Sequence, residues 1–415
     1  MMQHNDKYSE LIKNRLSTEI QEILSIAGKI AKEQDQKLYI VGGMVRDLLL
    51  ECSSPDLDLV VEGNAVDIAN RFAETVGGKV TVHPRFRTAT VKWDGKNVDF
   101  VTARSEIYSR PGALPTVKPG SIDDDLFRRD FTINSLAADL SSGNLIDPFN
   151  GRGDIDTGLI RILHEKSFID DATRIWRAIR YEQRLNFTLE PDTLKLLKRD
   201  LDMLGTISRD RIRHELELVL KEDQPEKSIL RADELGVIEK LHPSLAGDDW
   251  VSEKFKKARE IVSPTPPSPE LYLAILAYRL NEDETEELIT RLVLRKLQTR
   301  TLRDVCQLKN RLEKLSEYDI RPSEIYYLLH GLSRIALLAV AIAADSPTAQ
   351  KNIGLYLDKL RYVRTVLTGK DLGKMGIKSG PGMKEILWKL LQAHLDGQVI
   401  DKQGEVKLVH KITHQ

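Results

Sequence analysis

The sequence has very little cysteine and no long hydrophobic run. Its two cysteines, Cys52 and Cys306, are far apart in the chain, which argues against a disulfide framework and indicates a reducing compartment. The longest apolar stretch, residues 335–344, is too short to cross a bilayer and is predicted to form a buried helix. The first residues are polar and lack the apolar core of a signal peptide, so we expect a cytoplasmic protein without a membrane partner.

The chain also lacks an excess of charge of either sign. Its 62 Lys and Arg residues are balanced by 63 Asp and Glu residues, so the net charge is −1. A polyanion such as RNA would therefore have to bind a local basic cluster. The nine histidines show no metal-ligand spacing, which argues against zinc, and no G-x-x-x-x-G-K-[ST] phosphate-binding loop is present. A length of 415 residues predicts about two to four domains.

Residue patterns divide the chain into a mixed α/β part and a helical part. Short apolar runs predict strands at residues 38–41, 57–61, 88–92 and 97–102, and the last two flank Asp94-Gly95, a hairpin turn signal. Apolar residues at spacings of three and four predict helices over residues 1–35, 44–51 and 64–76. After about residue 150 the strand signal disappears, and helical periodicity continues with breaks at Gly236, 263–269 and 369–382.

Three carboxylates occupy polar positions of the predicted strands. Asp56 and Asp58 share one face because alternate residues of a strand do, while Leu57 and Leu59 face the core. Asp99 occupies the corresponding polar position of a later strand. Such carboxylates would repel one another without a cation between them, and oxygen ligands favour Mg²⁺, of which two ions would suit phosphoryl transfer. The alternative is that these aspartates are simply the solvent-facing positions of an edge strand.

A glycine pair precedes these carboxylates. Gly42 and Gly43 end the first apolar strand, and glycine lets a backbone approach a ligand without a Cβ clash. Amides at the start of the following helix can then hold a phosphate.

Five motifs resemble, in order, those of class II tRNA nucleotidyltransferases, a family that includes CCA-adding enzymes and bacterial poly(A) polymerases. They are GGMVRD (42–47), DLD (56–58), RRDFTINSLAADL (128–140), DPFNGRGDI (147–155) and DDATRIWRAIR (170–180). ISRDRIRHEL (207–216) resembles the last head-and-neck motif, and residues 367–387 resemble, more weakly, the tail of longer bacterial members. The resemblance covers roughly residues 36–220.

This resemblance implies an α+β fold in which a nucleotidyltransferase head with a mixed sheet precedes an all-helical neck, body and tail. The predicted domains are a catalytic head (1–150), a base-recognising neck (151–220), a body (221–345) and a tRNA-binding tail (346–415). The implied catalytic residues are Asp56 and Asp58, as ligands of two Mg²⁺ ions, and the usually less essential Asp99. The implied nucleotide-binding residues are Gly42, Gly43, Arg46, Arg129, Asn134, Asp171, Arg174, Arg177 and Arg180.

Residues 170–185 are predicted to form one helix that selects the base. Cytosine and adenine each present an amino donor beside a ring-nitrogen acceptor, whereas uracil and guanine present the reverse. Asp171 as acceptor and Arg174 as donor stand three residues apart, so the pair could read C and A and reject U and G. The resemblance implies that this pair replaces a nucleic-acid template. Asp170 stands where the family usually has Glu, and the alternative for the helix is a solvated basic face.

The second half of the chain carries a basic cluster that could bind the phosphates of a tRNA acceptor stem. Its predicted contacts are Arg291, Arg295, Lys296, Arg300 and Arg303. The alternative is a solvated face offset by the acidic residues 282–287.

The implied function is template-independent addition of C and A to tRNA 3′ ends from CTP and ATP, with release of pyrophosphate. Complete CCA addition, A-only addition and poly(A) synthesis all fit the motifs. In the family that the motifs resemble, CC-only enzymes tend to have a deletion in the flexible stretch before the RRD motif. Here that stretch, residues 102–130, shows no such deletion, so the resemblance argues against CC-only addition. Alternatives from other classes are a non-catalytic RNA-binding protein on the same scaffold and a small-molecule nucleotidyltransferase.

Overall fold

The structure is a computed structural model that describes residues 15–52, 57–84 and 87–413. Asp56 and the part of the predicted first helix that precedes residue 15 lie outside the described residues. The chain divides into two compact units, Met1–Glu215 and Leu216–Gln415.

The first unit is built on a mixed sheet, as predicted, and the sheet has seven strands. The sequence patterns predicted four of them and missed Lys79–His83, Ala137–Asp139 and Leu145–Ile146. The strands of the unit are β1 (Lys37–Val41), β2 (Asp58–Glu62), β3 (Lys79–His83), β4 (Thr88–Trp93), β5 (Lys96–Thr102), β6 (Arg104–Ile107), β7 (Thr116–Pro119), β8 (Ala137–Asp139), β9 (Leu145–Ile146), β10 (Leu159–Ile160) and β11 (Thr188–Leu189). The strand order of the large sheet is β3-β4-β5-β2-β1-β8-β9, with β2 and β5 parallel and the other neighbours antiparallel. Two small sheets pair β6 with β7 and β10 with β11.

Short helices connect these strands and end where the sequence provides caps. At the start of the helix Ala65–Val76 the Asn64 side chain accepts a hydrogen bond from the Val66 N–H, and Gly77 ends the helix with φ of 70°. The helices of this unit are α1 (Thr18–Glu33), α2 (Gly43–Leu49), α3 (Ala65–Val76), α4 (Ile122–Phe127), α5 (Gly151–Thr157), α6 (Ser167–Asp170), α7 (Thr173–Leu185), α8 (Pro191–Arg199) and α9 (Arg209–Val219), in which the unit boundary falls. Short 3₁₀ segments lie at Thr132–Asn134 and Leu201–Thr206.

The core of the first unit lies between the central strands and the helices. Phe72 of α3 packs against Phe100 of β5 and Trp93 of β4, with ring centroids 5.4 Å apart in both pairs. On the other side, Tyr39, Val60 and neighbouring apolar residues pack against Ile122 and Leu126 of α4. Burying such side chains stabilises the sheet by roughly 1.5–3 kcal/mol for each fully buried large apolar residue.

Two predictions about the chain after residue 150 are wrong. Strands β10 and β11 follow that point, but each has two residues, too few for a periodic signal. The predicted helix over residues 170–185 is two helices, because Asp171 has extended φ and ψ angles of −142° and 97° and separates α6 from α7. Asp171 therefore precedes α7 instead of lying in its first turn.

The second unit is all helical over its described residues. The predicted breaks at Gly236 and around residues 263–269 fall between helices, whereas the predicted break at 369–382 contains a short helix. Its helices are α10 (Pro225–Glu234), α11 (Val237–Leu241), α12 (Asp249–Val262), α13 (Pro269–Leu276), α14 (Glu282–Leu292), α15 (Lys296–Lys309), α16 (Leu312–Leu315), α17 (Pro322–Leu329), α18 (Arg334–Ala343), α19 (Pro347–Asp358), α20 (Gly369–Lys374), α21 (Pro381–Leu395) and α22 (Lys402–Thr413), with a 3₁₀ turn at Leu360–Tyr362.

The longest apolar run of the sequence forms α18, whose central residues are buried as predicted. Within the described residues, no single helix is long and apolar enough to span a bilayer; α17 and α18, bent by 114°, meet the length and composition criteria only as a pair. A separate apolar cluster that includes Leu372, Leu390 and Val409 packs α20, α21 and α22 together.

Candidate active site

A cavity of about 830 Å³ lies in the first unit and is lined by side chains from the sheet, α2 and α7. Its lining contains the predicted site residues Gly43, Arg46, Asp58, Asp99, Arg129, Asn134, Asp171, Arg174, Arg177 and Arg180. Two of the predicted catalytic and nucleotide-binding residues are missing from that lining. Asp56 is not described, and Gly42 immediately precedes α2. The sheet thus brings residues from the whole first unit around one space.

Two of the three predicted catalytic carboxylates are described, and they lie side by side on parallel strands. Asp58 of β2 and Asp99 of β5 are register partners. The Thr90 hydroxyl donates a 2.5 Å hydrogen bond to Oδ1 of Asp99 and so fixes this carboxylate. Within residues 15–52, 57–84 and 87–413, no group of three or more His, Cys, Asp or Glu residues is arranged to hold a metal. The oxygen donors present are of the type Mg²⁺ prefers, and Asp56 would add a third.

The glycine turn makes room for an arginine. Gly42 has φ of 67°, and a Cβ at this position would lie 2.4 Å from Nη1 of Arg129. Arg129 donates through Nη2 to Oδ2 of the fully buried Asp125 at 2.9 Å, and Arg128 donates to its Oδ1 at 2.7 Å. Burial by itself raises the pKa of Asp125, but the charges and hydrogen bonds of Arg129 and Arg128 outweigh it and hold the pKa below its usual range.

A chain of polar side chains connects α2 to α7. Buried Arg46 pairs with Oδ1 of Asp47 at 2.7 Å and donates to Oδ1 of Asn134, also at 2.7 Å. Asn134 donates to Oδ1 of Asp130, whose Oδ2 accepts from Arg177. Arg46 and Asp47, the charged groups after the glycine turn, therefore pair with each other within one hydrogen-bond network. Such pairing is what allows charged groups to be buried.

Sequence reasoning did not single out Asp130, which is the centre of this network. Burial by itself raises the pKa of Asp130. The charge of Arg177 and the hydrogen bonds from Asn134 and Arg177 outweigh burial and lower the pKa to about 2. Its position in the RRD motif was the available signal.

Three guanidinium groups surround the ring of Tyr181. The Cζ atoms of Arg46, Arg177 and Arg180 lie 5.2, 5.5 and 5.0 Å from the ring centroid. A phenol ring attracts cations through its negative face, so Tyr181 offsets part of the repulsion among these groups.

The helix α7 is largely buried on both sides and is not a solvated basic face. Its Arg174 and Arg180 are 5% and 8% exposed.

Asp171 and Arg174, the predicted base-reading pair, form hydrogen bonds with separate sets of partners. Oδ1 of Asp171 accepts from the N–H and the hydroxyl of Thr173, and its Oδ2 accepts from Arg211 at 2.7 Å. Arg174 donates to the Ser167 hydroxyl at 2.6 Å and to the backbone carbonyl of Arg128 at 2.7 Å. Both side chains line the cavity.

Glu215 is a second cavity residue that sequence reasoning did not single out. It is 6% exposed, and its Oε2 has no hydrogen-bond partner within the described part of the chain. Burial raises its pKa, against the opposing charges of Arg177 and Arg180. Glu215 lies in the ISRDRIRHEL motif, but no residue pattern distinguishes it from the other charged residues of that motif.

The predicted RNA contacts lie in the second unit and differ in how far their charge is compensated. Arg303 forms two hydrogen bonds with Glu286, at 2.6 and 2.8 Å, and Arg291 and Arg300 donate to backbone carbonyls. Arg295 is 68% exposed in its side chain and lies 3.7 Å from Glu217, and Lys296 is exposed. Arg295 and Lys296 are thus the most available of the cluster for phosphates.

A sheet that presents paired carboxylates beside a glycine turn defines a nucleotidyltransferase head. The family model for the poly A polymerase head domain matches residues 38–161, and the model for the probable RNA- and SrmB-binding site of polymerase A matches residues 186–248.

Similar proteins define the family more closely. The chain is 33% identical to the A-adding tRNA nucleotidyltransferase of Halalkalibacterium halodurans over 98% of its own length and 96% of the relative's. It is 36% identical to the A-adding tRNA nucleotidyltransferase of Geobacter sulfurreducens over 93% of its own length, but spans only 46% of that relative. The structure of the Thermotoga maritima CCA-adding enzyme complexed with tRNA superposes with a TM-score of 0.77 at 31% identity, covering 98% of both chains. The chain belongs to the tRNA nucleotidyltransferase family.

Proposed function

We propose that this protein is a template-independent nucleotidyltransferase that extends tRNA 3′ ends from CTP and ATP. The supporting observation is that one cavity is lined by the Asp58 and Asp99 carboxylates, by the three arginines around Tyr181 and by the Asp171–Arg174 pair. In the reaction, the terminal 3′-hydroxyl loses its proton to solvent and its oxygen bonds to the α-phosphorus of the nucleotide. The bond from that phosphorus to the oxygen that bridges the α- and β-phosphates breaks, and pyrophosphate leaves.

The carboxylate side of the cavity would hold the metal ions. Asp58 and Asp99, with Asp56, offer the oxygen ligands that Mg²⁺ prefers, and we propose two ions. When bound, such ions supply positive charge that favours ionisation of the attacking hydroxyl and stabilises the departing pyrophosphate. The guanidinium groups of Arg46, Arg129 and Arg177 line the cavity, and each is paired with an aspartate. Because a guanidinium has five N–H donors, we propose that these arginines also donate charge-assisted hydrogen bonds to the triphosphate.

The other side of the cavity would choose the base. Asp171 can accept from the amino group of C or A while Arg174 donates to the adjacent ring nitrogen. U or G would place a carbonyl against the carboxylate and an N–H against the guanidinium, leaving buried charged groups without partners at a cost of about 1–3 kcal/mol or more. This choice needs no nucleic-acid template.

A-only addition is the second candidate. The relatives in Halalkalibacterium halodurans and Geobacter sulfurreducens, which match over more than nine-tenths of this chain, are both A-adding. The Thermotoga maritima structure that matches throughout is of a CCA-adding enzyme. The Asp171–Arg174 pair treats C and A alike, so it fits both activities.

We also propose that the exposed residues Arg295 and Lys296 of the second unit contact phosphates of the tRNA acceptor arm. The division into neck, body and tail, tRNA binding by residues 346–415, the cytoplasmic location and the absence of zinc stay predictions.

One incorporation assay tests the proposal. The purified chain is given tRNA ending at the discriminator base, at C or at CC, with labelled CTP, ATP or both, and Mg²⁺. Addition of C to the first two substrates and of A to the third is expected from complete CCA addition, and only the third reaction from A-only addition. A long A homopolymer would point to poly(A) synthesis, and no transfer to any RNA would contradict the proposal.

A further inference from the structure

The guanidinium group of Arg174 is held by three acceptors outside its own helix. Its Nη1 donates to the Ser167 hydroxyl at 2.6 Å and to the Ser167 carbonyl at 3.5 Å, and its Nη2 donates to the carbonyl of Arg128 at 2.7 Å. Ser167 is fully buried in α6, and Arg174 is 5% exposed. Of these three acceptors only the Ser167 hydroxyl belongs to a side chain, and it makes the shortest of the three hydrogen bonds, so it is the one that substitution can remove without altering the backbone.

Arg174 also has space on a second side. A smaller cavity of about 230 Å³ shares Arg174, Arg128, Glu106 and Tyr108 with the large cavity, so these residues form the wall between the two. Its lining adds the carboxylates of Asp124 and Asp170. An arginine in such a wall can turn towards either space, and carboxylates on the far side attract it.

We infer that Ser167 is a positioning residue that orients the Arg174 guanidinium towards the base and thereby sets base selectivity. This inference rests on the proposed function, in which Arg174 reads the base. A hydrogen bond with a donor is directional, and a guanidinium turned into the smaller cavity could not meet a ring nitrogen in the larger one. Ser167 does not line either cavity and would act only through Arg174.

A purely structural role for Ser167 would have a different signature. If the buried hydroxyl only stabilises the fold, its removal lowers the melting temperature and reduces kcat/KM for all four nucleotides by the same factor. Removing an orienting hydrogen bond lowers kcat/KM for the preferred bases more than for U and G. The ratio of kcat/KM for ATP to that for GTP therefore separates the two roles, and the CTP to UTP ratio adds a second measure if C is incorporated.

The test compares S167A with a matched control. S135A also removes a fully buried serine hydroxyl, one that donates to the carbonyls of Leu126 and Phe131 and does not line the large cavity. Both variants, R174A and the double variant S167A/R174A are assayed by single-turnover incorporation of each nucleotide into one tRNA, and their melting temperatures are measured. S167C, with a similar volume and a weak acceptor, repeats the test if S167A does not fold.

We expect S167A and S167C to lower the ATP to GTP ratio roughly tenfold, the usual scale for a hydrogen bond to a charged group. S135A should leave this ratio within about twofold, and S167A should have no further effect on it in the R174A background. An unchanged ratio in S167A, or an effect that adds to that of R174A, overturns the inference while R174A still shows Arg174 to select the base. If R174A itself leaves the ratio unchanged, the proposed reading of the base by Arg174 is wrong, and the role of Ser167 with it.

Discussion

Asp58 on β2 and Asp99 on β5 occupy the same register position of two adjacent parallel strands. Neighbouring strands lie about 4.8 Å apart, so two carboxylates in register can share a cation without distortion of the backbone. This relationship is the structural basis of the chemistry proposed for the cavity.

The two carboxylates should differ in how much activity depends on them. Asp58→Asn should reduce single-turnover AMP transfer to tRNA by roughly a hundredfold or more, because a metal ion contributes several kcal/mol to such reactions. Asp99→Asn should cost less, since one of its oxygens already accepts from Thr90. Glu74→Gln, which changes an exposed residue outside the cavity lining, is the control. Full activity in Asp58→Asn would contradict the proposed mechanism.

Gly77→Ala is the control for testing the glycine turn with Gly42→Ala. Both glycines have positive φ. Gly77 is left-handed helical with ψ of 28°, so alanine there should lower the free energy of unfolding by about 1–2 kcal/mol. Gly42 has ψ of −127°, which glycine adopts far more readily than other residues, so alanine there should lower it by at least as much. A Cβ at Gly42 would also lie 2.4 Å from Nη1 of Arg129, whereas nothing lies within 4 Å of one at Gly77. Only Gly42→Ala should therefore lower kcat/KM for ATP, by about tenfold, because it displaces the guanidinium that we propose to form a charge-assisted hydrogen bond with the triphosphate. Equal kinetic effects of the two variants in the same assay would count against this role of Arg129.

The ring of Tyr181 should matter more than its hydroxyl. Tyr181→Phe keeps the face that three guanidinium groups approach, whereas Tyr181→Leu removes it. We expect KM for ATP to rise by roughly tenfold in Tyr181→Leu and by less than about threefold in Tyr181→Phe, since each cation–π interaction is worth about 0.5–2 kcal/mol. Steady-state kinetics at saturating tRNA measures this, with melting temperatures to confirm folding. A larger effect of Tyr181→Phe would assign the role to the hydroxyl.

Because of Asp130, the free energy of unfolding should depend on pH in the acid range. Its pKa is lowered from 3.8 to about 2 in the folded protein, so its ionised form stabilises the fold above about pH 4. This contribution, on the order of 2 kcal/mol, should be lost as the pH falls from about 4 to 2. Urea unfolding of the protein and of Asp130→Asn should therefore differ most at neutral pH and converge in acid. A difference that is independent of pH would show that the carboxylate is not the stabilising group.

The basic residues of the second unit should bind RNA unequally. Arg295→Ala with Lys296→Ala should weaken tRNA binding and reduce the slope of log affinity against log salt by about two, because two phosphates would no longer be neutralised by the protein. Arg303→Ala should change the slope less, because Glu286 already compensates that charge. Fluorescence anisotropy between about 50 and 200 mM salt measures both slopes. Equal slopes in the double variant and the unaltered protein would remove this surface from the proposed tRNA site.

Short-range patterns in the sequence were sufficient to predict the frame of the site. The period of two in the strands predicted the polar side for Asp58 and Asp99, and the mixed sheet and the buried α18 are both observed. The motifs supplied the family and the set of residues around the cavity. These features depend on residues close together in sequence, so their spacing carries the information.

Tertiary structure alone decided which residues hold one another. Arg46 meets Asn134 from 88 residues away, and Arg177 meets Asp130 from 47. Asp171 leaves the predicted helix because its carboxylate accepts from Thr173 and Arg211, hydrogen bonds that compete with continuing the helix. The sequence by itself thus determined the fold class and the chemical groups of the site. Their orientation came from packing and buried electrostatics between distant segments, which no local spacing records.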